Sequence, residues 1–474
     1  MALIKHTGNY LAAVIANRAL SFISIPVFTY LLTVEDYGTI NVFQSTVALS
    51  AILLTLNTEV AISRFYYDTK EEEDFKRFVG TSIRLSLSVF IFLSLCFLIF
   101  SDSLANYLGF EKLLLLCILP SALYYFLDGV FQQIYQPQLK SRKIAVLSSI
   151  SAYLGFAFSV VLILLMSEKK YYGVVFGGLV IQFLVGIYLV SQILKYTKNC
   201  FDFKYVKYIL SFTLPYLPYS LSSIIVAQFG KMIIGQEEGF NSAGLYSFAH
   251  NLSGLMMVVI MVVHSAWNPY YMRYMNEKNY SQIDSDYSII WRATLILGAF
   301  LSLFGYEIGT ILARPQYLSA LNLVPILVVG YIFYQWSFVY LRNSAFVKKT
   351  IWNAVAVITS GVINILLNSL LIEHYQLFGV AASFAISYAF MLVISWCANK
   401  FILKAYVPAA AKFIWPFIIY LIVVSLSSYY ISSDKLSFST ILCKLTILCG
   451  FSLFLMYKYF GLKLWALLDK LRIF

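Results

Sequence analysis

Charge is what this chain has least of. Of its 474 residues, 12% are Asp, Glu, Lys or Arg, about half the share of an average soluble domain. Against that, 61% are hydrophobic and the mean hydropathy is +0.79. So few charged side chains do not cover a water-soluble fold, and that class is excluded. Cysteine is scarce and unpatterned: Cys96, Cys117, Cys200, Cys397, Cys443 and Cys449 carry no CxxC or Cys/His spacing. A disulfide framework or a zinc site is therefore not expected. No P-loop signature occurs, so ATP is not the direct energy source. Period-two alternation is also missing from the apolar stretches, which argues against a barrel and leaves helices to satisfy the backbone in lipid. The net charge of +12 is scattered over short segments between apolar runs rather than gathered into a stripe, so nucleic acid is not an expected partner. Met1 to Gly8 leads into a long apolar run with no small-residue cleavage site, which predicts no removable signal peptide.

What the chain does have is long apolar runs. At about twenty residues per crossing, they predict helices near 9–32, 40–62, 80–100, 112–136, 144–167, 171–194, 208–231, 242–266, 287–311, 317–341, 350–372, 377–399, 409–431 and 439–458, fourteen in all. With the N-terminus in the cytoplasm, the inside segments hold 24 Lys and Arg and the outside segments six. That asymmetry obeys the positive-inside rule and predicts both termini cytoplasmic. A shift of 206 residues lays Gly38 on Gly244, Gly155 on Gly361, Gly173 on Gly379 and Arg142-Lys143 on Lys348-Lys349. Internal repetition follows. Six helices separate the copies, so the repeat is parallel. The expected organisation is a six-helix bundle over 1–199, a second over 200–406, and two further helices over 407–474.

Two segments resemble a known family. Phe28 to Gly38, FTYLLTVEDYG followed by NVFQS, is similar to the first-loop signature of bacterial polysaccharide-unit (O-antigen) flippases of the polysaccharide biosynthesis family. Gly230 to Ile234, GKMII, followed by AGLYSFAHNL at Ala243 to Leu252, resembles the matching second-half signature. That family shares its superfamily with MATE drug exporters and lipid II flippases. The resemblance implies a MATE-like fold and alternating-access transport of a diphospholipid-linked oligosaccharide from the cytoplasmic to the outer leaflet of a bacterial inner membrane. Coupling to H+ or Na+ is implied as well, with membrane lipids, a polysaccharide polymerase and assembly proteins as partners and no cofactor. The alternatives are a cation-coupled MATE-type exporter and a membrane polysaccharide polymerase or ligase. Polymerases and ligases carry a large external loop, whereas the longest external loop here is about a dozen residues, so an enzyme is not expected.

A charge inside a span costs about 2.5–3.5 kcal/mol at its centre, so each one needs a reason. Arg18 lies nine residues into the first predicted helix, near mid-membrane; it either pairs with Glu59 or Asp128 or meets substrate phosphates. Arg84 and Arg292 lie near cytoplasmic ends, where they snorkel or serve the same site. Lys231 ends the seventh predicted helix, which contains Pro215-x-x-Pro218 and is expected to kink or break. Asp128, near Gln132 and Gln133, marks a polar face. His250 and His264 are either proton-relay members or packing histidines. Asn364 and Asn368, spaced i and i+4, share a face and bind sugar hydroxyls or bond helix to helix. The substrate-site candidates are thus Arg18, Arg84, Lys231, Arg292, Asn364 and Asn368. Asp128, Glu59 and His250 are the ion-coupling candidates, and no metal site is expected.

Overall fold

The computed structural model describes residues 20, 22–409, 411–430 and 437–471. Within them the chain is helical and has no strand. In order it forms α1 (Phe22–Leu31), α2 (Val34–Thr55), α3 (Val60–Asp68), α4 (Glu72–Ile99), α5 (Ser101–Leu108), α6 (Lys112–Leu116), α7 (Ile118–Tyr135), α8 (Ser141–Leu165) and α9 (Tyr171–Ile193). It continues with α10 (Phe203–Glu237), α11 (Gly239–Ser253), α12 (Leu255–Asn276), α13 (Tyr280–Leu312), α14 (Val324–Phe346), α15 (Ile351–Cys397), α16 (Ala411–Tyr430) and α17 (Phe438–Leu471). Among the described residues, eleven helical runs are long and apolar enough to cross a membrane. One of these contains α15, whose 47 residues would stretch about 70 Å if straight, more than twice a ~30 Å hydrocarbon core. Gln376 breaks it with φ 47° and ψ −130°. A Cβ on Gly379 would lie 2.4 Å from the Leu371 carbonyl oxygen, so the chain folds back there. Counted as two spans, and with the shorter apolar helices Phe22–Leu31 and Lys412–Ser428, α15 completes the fourteen expected. The all-α, multi-span membrane architecture is as the composition requires.

Packing divides the described residues into two units. The first runs to Ser247 and adds Val357–Val380. Its helices meet over small residues. On α9, Gly173-x-x-x-Gly177 lies against α8, where a Cβ on Gly177 would come 2.6 Å from Ser159 Cα and one on Gly173 2.8 Å from Ile163 N. Without a hydrophobic force between helices in lipid, such close backbone contact supplies the attraction. At another place Phe65, Phe78, Tyr205 and Tyr208 form one aromatic cluster, with the Phe65 and Phe78 rings stacked at 3.9 Å. Phe92, Leu95 and Ile99 of α4 are exposed, as expected of a helix turned to lipid.

The second unit comprises Phe248–Ala356 and the described residues from Ala381 onward. Its core is built from rings: Trp291 on α13, Trp336 on α14, and Phe413 and Phe417 on α16 touch one another at centroid separations of 4.9 to 6.4 Å. Trp291 also donates its indole N–H to the Phe413 carbonyl at 3.2 Å. The buried Lys444 of α17 and the half-buried Glu307 of α13 pair at 2.7 Å.

Candidate functional site

The DYG segment explains itself locally. Thr33 caps α2: its hydroxyl oxygen accepts the Asp36 N–H at 3.0 Å, and Thr33 N–H donates back to Asp36 Oδ2 at 3.3 Å. This reciprocal capping box fixes where α2 begins and places negative charge at its N-terminus. Tyr37 then turns inward, buried, and Gly38 follows on the next step of the helix. A Cβ on Gly38 would lie 1.8 Å from the Phe240 carbonyl oxygen and 2.6 Å from Gly244 N. A Cβ on Gly244 would lie 2.1 Å from the Val34 carbonyl oxygen. The 206-residue shift carries Val34 to Phe240 and Gly38 to Gly244, so the two contacts are the same contact seen from either repeat. Two helix starts cross backbone to backbone around a local two-fold, and only glycine fits at the crossing.

Below that crossing the second predicted span is not continuous. Leu56 and Asn57 both have left-handed φ, 51° and 52°, and separate α2 from α3. The freed backbone is surrounded by polar side chains: Asn57 donates to Ser220 Oγ of α10 at 2.9 Å, and Thr58 shares a hydrogen bond with Ser86 of α4. Higher on α2, Ser45 donates to Gln228 of α10 at 3.0 Å. Glu59, at the start of α3, leans on Gly129 of α7, and its buried Oε2 has no hydrogen-bond partner. The preceding residue on α7, Asp128, takes the Gln132 amide at 2.7 Å. Arg84 makes no ion pair or hydrogen bond among the described residues, so it does not neutralise either acid. Arg18 lies outside the described residues.

Lys231 is not at a helix end. α10 runs on through Met232 to Glu237, leaving Lys231 inside the helix and 5% exposed. The sequence reading ended the span at its charge, yet the following MIIG is apolar and continues the helix. Nor do Pro215 and Pro218 break it: α10 passes through both without interruption. Asn364 and Asn368 do share a face of α15, each 1% exposed, and Asn368 donates to Asn364 Oδ1 at 2.9 Å. The Asn368 carbonyl oxygen stays buried without a partner.

In the second unit, His250 is buried edge-on to Phe384 at 5.3 Å, with Tyr331 OH 3.4 Å from its Nε2. Arg292, on α13, is half-buried and makes no ion pair or hydrogen bond among the described residues. A cluster not anticipated as a site surrounds His264. Its ring stacks on Phe338 at 4.1 Å and its Nε2 lies 2.7 Å from Gln335 Oε1. Arg342 donates to the His264 carbonyl at 3.1 Å and lies over the Trp267 and Tyr271 rings at 5.3 and 5.5 Å. Arg342 Nη1 and Gln335 Nε2 are buried donors with no acceptor. The sequence signal for it is a guanidinium, Arg342, at the end of an aromatic-rich helix.

The geometry therefore defines a multi-span helical protein with glycine-crossed helix starts, a broken span and buried polar groups within its spans. Solved structures of a flippase and of multidrug transporters share this architecture. The chain matches the structure of lipid II flippase MurJ in an inward closed conformation with a TM-score of 0.71, covering 95% of this chain and 99% of that one at 15% identity. An inward-facing multidrug resistance MATE family transporter matches with a TM-score of 0.62, covering 87% and 96% at 16% identity. At these identities the likeness establishes the MATE-like fold. The sequence itself belongs to the polysaccharide biosynthesis protein family, which it matches over residues 3–275. A relative from Haemophilus influenzae, Lsg locus putative protein 1, is 23% identical over 286 residues, 59% of this chain and 68% of that protein.

Proposed function

We propose that the chain is a flippase that carries a diphospholipid-linked oligosaccharide, a polysaccharide or O-antigen repeat unit, from the cytoplasmic to the outer leaflet by alternating access. The observation that carries this reading is the reciprocal approach of Gly38 and Gly244. A transporter with one central site needs a contact that closes one end and can part again. Two repeat-equivalent helix starts whose closest approaches are to backbone atoms form such a contact, because glycine leaves no side chain of its own to unpack at the crossing. Membership of the polysaccharide family and the MurJ-like fold support the substrate class.

In this reading Arg18, Arg84, Lys231 and Arg292 offset the diphosphate charge, since an uncompensated buried ion costs several kcal/mol. Asn364 and Asn368 face the glycan hydroxyls. Glu59, Asp128 and His250 carry the coupled H+ or Na+; the unpartnered Glu59 oxygen beside a broken span favours Glu59 first. The halves are residues 1–199 and 200–406, with 407–474 added. The protein acts as a transporter without chemistry of its own, in a bacterial inner membrane with both termini cytoplasmic, alongside a polymerase and assembly proteins.

The test is translocation by the purified protein in proteoliposomes loaded with a fluorescent polyprenyl-diphosphate oligosaccharide, read as label newly exposed to an added glycosidase. Wild type is expected to expose the label, Lys231→Ala to lose at least ~10-fold of the rate, and Lys231→Arg to retain part of it, because charge matters more than shape at a phosphate site. Failure of wild type on this substrate, with transport of an organic cation instead, would establish the MATE-type exporter.

A further inference from the structure

A cavity of about 240 Å³ lies in the second unit between α13, the start of α14 and the terminal pair α16–α17. That is slightly below the ~300 Å³ at which small-ligand pockets begin, so it suits one ring or one headgroup rather than a chain. Six of its ten lining residues are polar: Ser302, Tyr306, Asn322, Ser427, Ser428 and Lys444. A polar cavity at this depth is costly to leave unfilled, which demands a polar occupant.

The hydrogen-bond inventory of the wall narrows the choice. Ser427 and Ser428 spend their protons on the Val423 and Val424 carbonyls at 2.7 and 2.9 Å, so each has only lone pairs left to offer. Ser302 and Tyr420 share a proton at 3.1 Å. Lys444 has given one N–H to Glu307 at 2.7 Å and keeps two. Its charge is already matched by that carboxylate, so an added phosphate would leave a net negative charge buried there and would also face serine lone pairs with acceptors of its own. A cation would confront the lysine. Hydroxyl groups, which donate and accept and carry no charge, can donate to the serine lone pairs and accept the two remaining Lys444 N–H groups at once.

We propose that this cavity binds a neutral polyhydroxyl group, a sugar ring or a glycerol headgroup presented by a lipid. Lys444 lies six residues into α17 and Glu307 five before the end of α13. In the proposed topology both places are at outer-leaflet level, so the site would hold hydroxyls on the release side; that placement rests on the flippase reading, while the binding chemistry does not.

The experiment is competitive lipid retention by the full chain in native mass spectrometry, offering glucosyl-diacylglycerol, phosphatidylglycerol and phosphatidylcholine with identical acyl chains. Wild type is expected to retain glucosyl-diacylglycerol at least fivefold over phosphatidylcholine, and Tyr306→Phe combined with Ser427→Ala to bring the ratio within twofold. Equal retention of phosphatidylglycerol, lost in the same variant, assigns the site to resident glycerol headgroups; retention of the glycolipid alone assigns it to the glycan. No preference in wild type, or a preference untouched by the variant, overturns the proposal and leaves the cavity to water. A melting midpoint for the variant near that of wild type shows that it folds. Translocation is scored separately, so a chain that keeps the preference but moves no lipid-linked glycan refutes the flippase reading alone.

Discussion

The two packing units solve the problem of helix association in opposite ways. In the first, the tightest approaches are glycine against backbone: Gly38 on Phe240, Gly244 on Val34, Gly177 on Ser159, Gly80 on the Lys198 carbonyl at 2.0 Å. In the second, glycines meet side chains: Gly330 faces the Phe384 ring, Gly309 the Leu321 methyls and Gly298 Ile332 Cδ1. The remaining attraction there comes from interlocked rings around Trp291. A backbone contact has a smooth surface and two good positions, touching or apart; a ring cluster has to be unpacked before it moves. The proposed transport motion is therefore assigned to glycine crossings such as the one at Gly38, and rigidity to the aromatic core.

The comparison breaks most cleanly at Gly244. Its replacement by Val puts a branched side chain where a Cβ alone would sit 2.1 Å from the Val34 carbonyl. Overpacking of this kind costs about 1–3 kcal/mol, enough to move a balanced two-state equilibrium by about one to two orders of magnitude. Export of surface glycan should fall at least ~10-fold while abundance in the membrane holds. Gly155→Ala, with nothing within 4 Å of its Cβ position, should behave as wild type. Normal export by Gly244→Val would remove the crossing from the transport cycle.

A second effect tests the rigid unit. Lys444→Met leaves Glu307 half-buried and unpaired, and breaking such a pair costs about 3–5 kcal/mol. Joint replacement, Lys444→Met with Glu307→Met, should recover most of the loss in melting temperature. If the single variant melts like wild type, the pair does not hold α17 to α13.

A milder effect is expected at Gly330, where the added methyl meets Phe384 Cδ1 at 2.6 Å. A ring can yield, so Gly330→Ala should cost about 1–3 kcal/mol of stability and leave export per folded molecule unchanged. A fall in specific export instead would show that the second unit also moves.

The smallest effect lies at the exposed end of the first unit, where Glu111 bonds Lys169 at 2.5 Å and accepts from Tyr172 at 3.0 Å. The Lys169 ammonium, with help from the tyrosines, holds this carboxyl below its ordinary value. A depressed carboxylate stabilises the folded chain above the unfolded pKa, about 4.3, and loses that contribution as pH falls through the folded value. Glu111→Gln should therefore melt slightly below wild type near pH 7, and the gap should close under acid. A gap that persists at low pH would mean that packing, not charge, is responsible.

Hydropathy made the spans legible because a bilayer imposes one length on every crossing. The reading failed where a local group hid from that rule. Lys231 was taken as a helix end, since a buried lysine interrupts an apolar run as an interfacial one does. The break at Leu56 and Asn57 carries neither Gly nor Pro, so only the polar neighbours Asn57, Thr58 and Glu59 hinted at it. The prolines of α10 do not break it: their missing N–H groups are tolerated inside a continuous helix. For the site, the repeat was visible in Gly38 and Gly244, but their touching was not, because equivalence in sequence says nothing of proximity in space.

The capping box at Thr33 has a consequence for how the turn between α1 and α2 can vary. Each residue of an α-helix advances it by about 100°, and the reciprocal bonds of Thr33 and Asp36 set the angle from which α2 starts counting. One residue inserted between Asp36 and Gly38 would swing the glycine about a quarter of a turn away from Phe240 and present a side chain instead. One inserted before Thr33 would leave the angle intact. The helical phase of α2 should therefore survive a length change on the first side of this turn and none on its second.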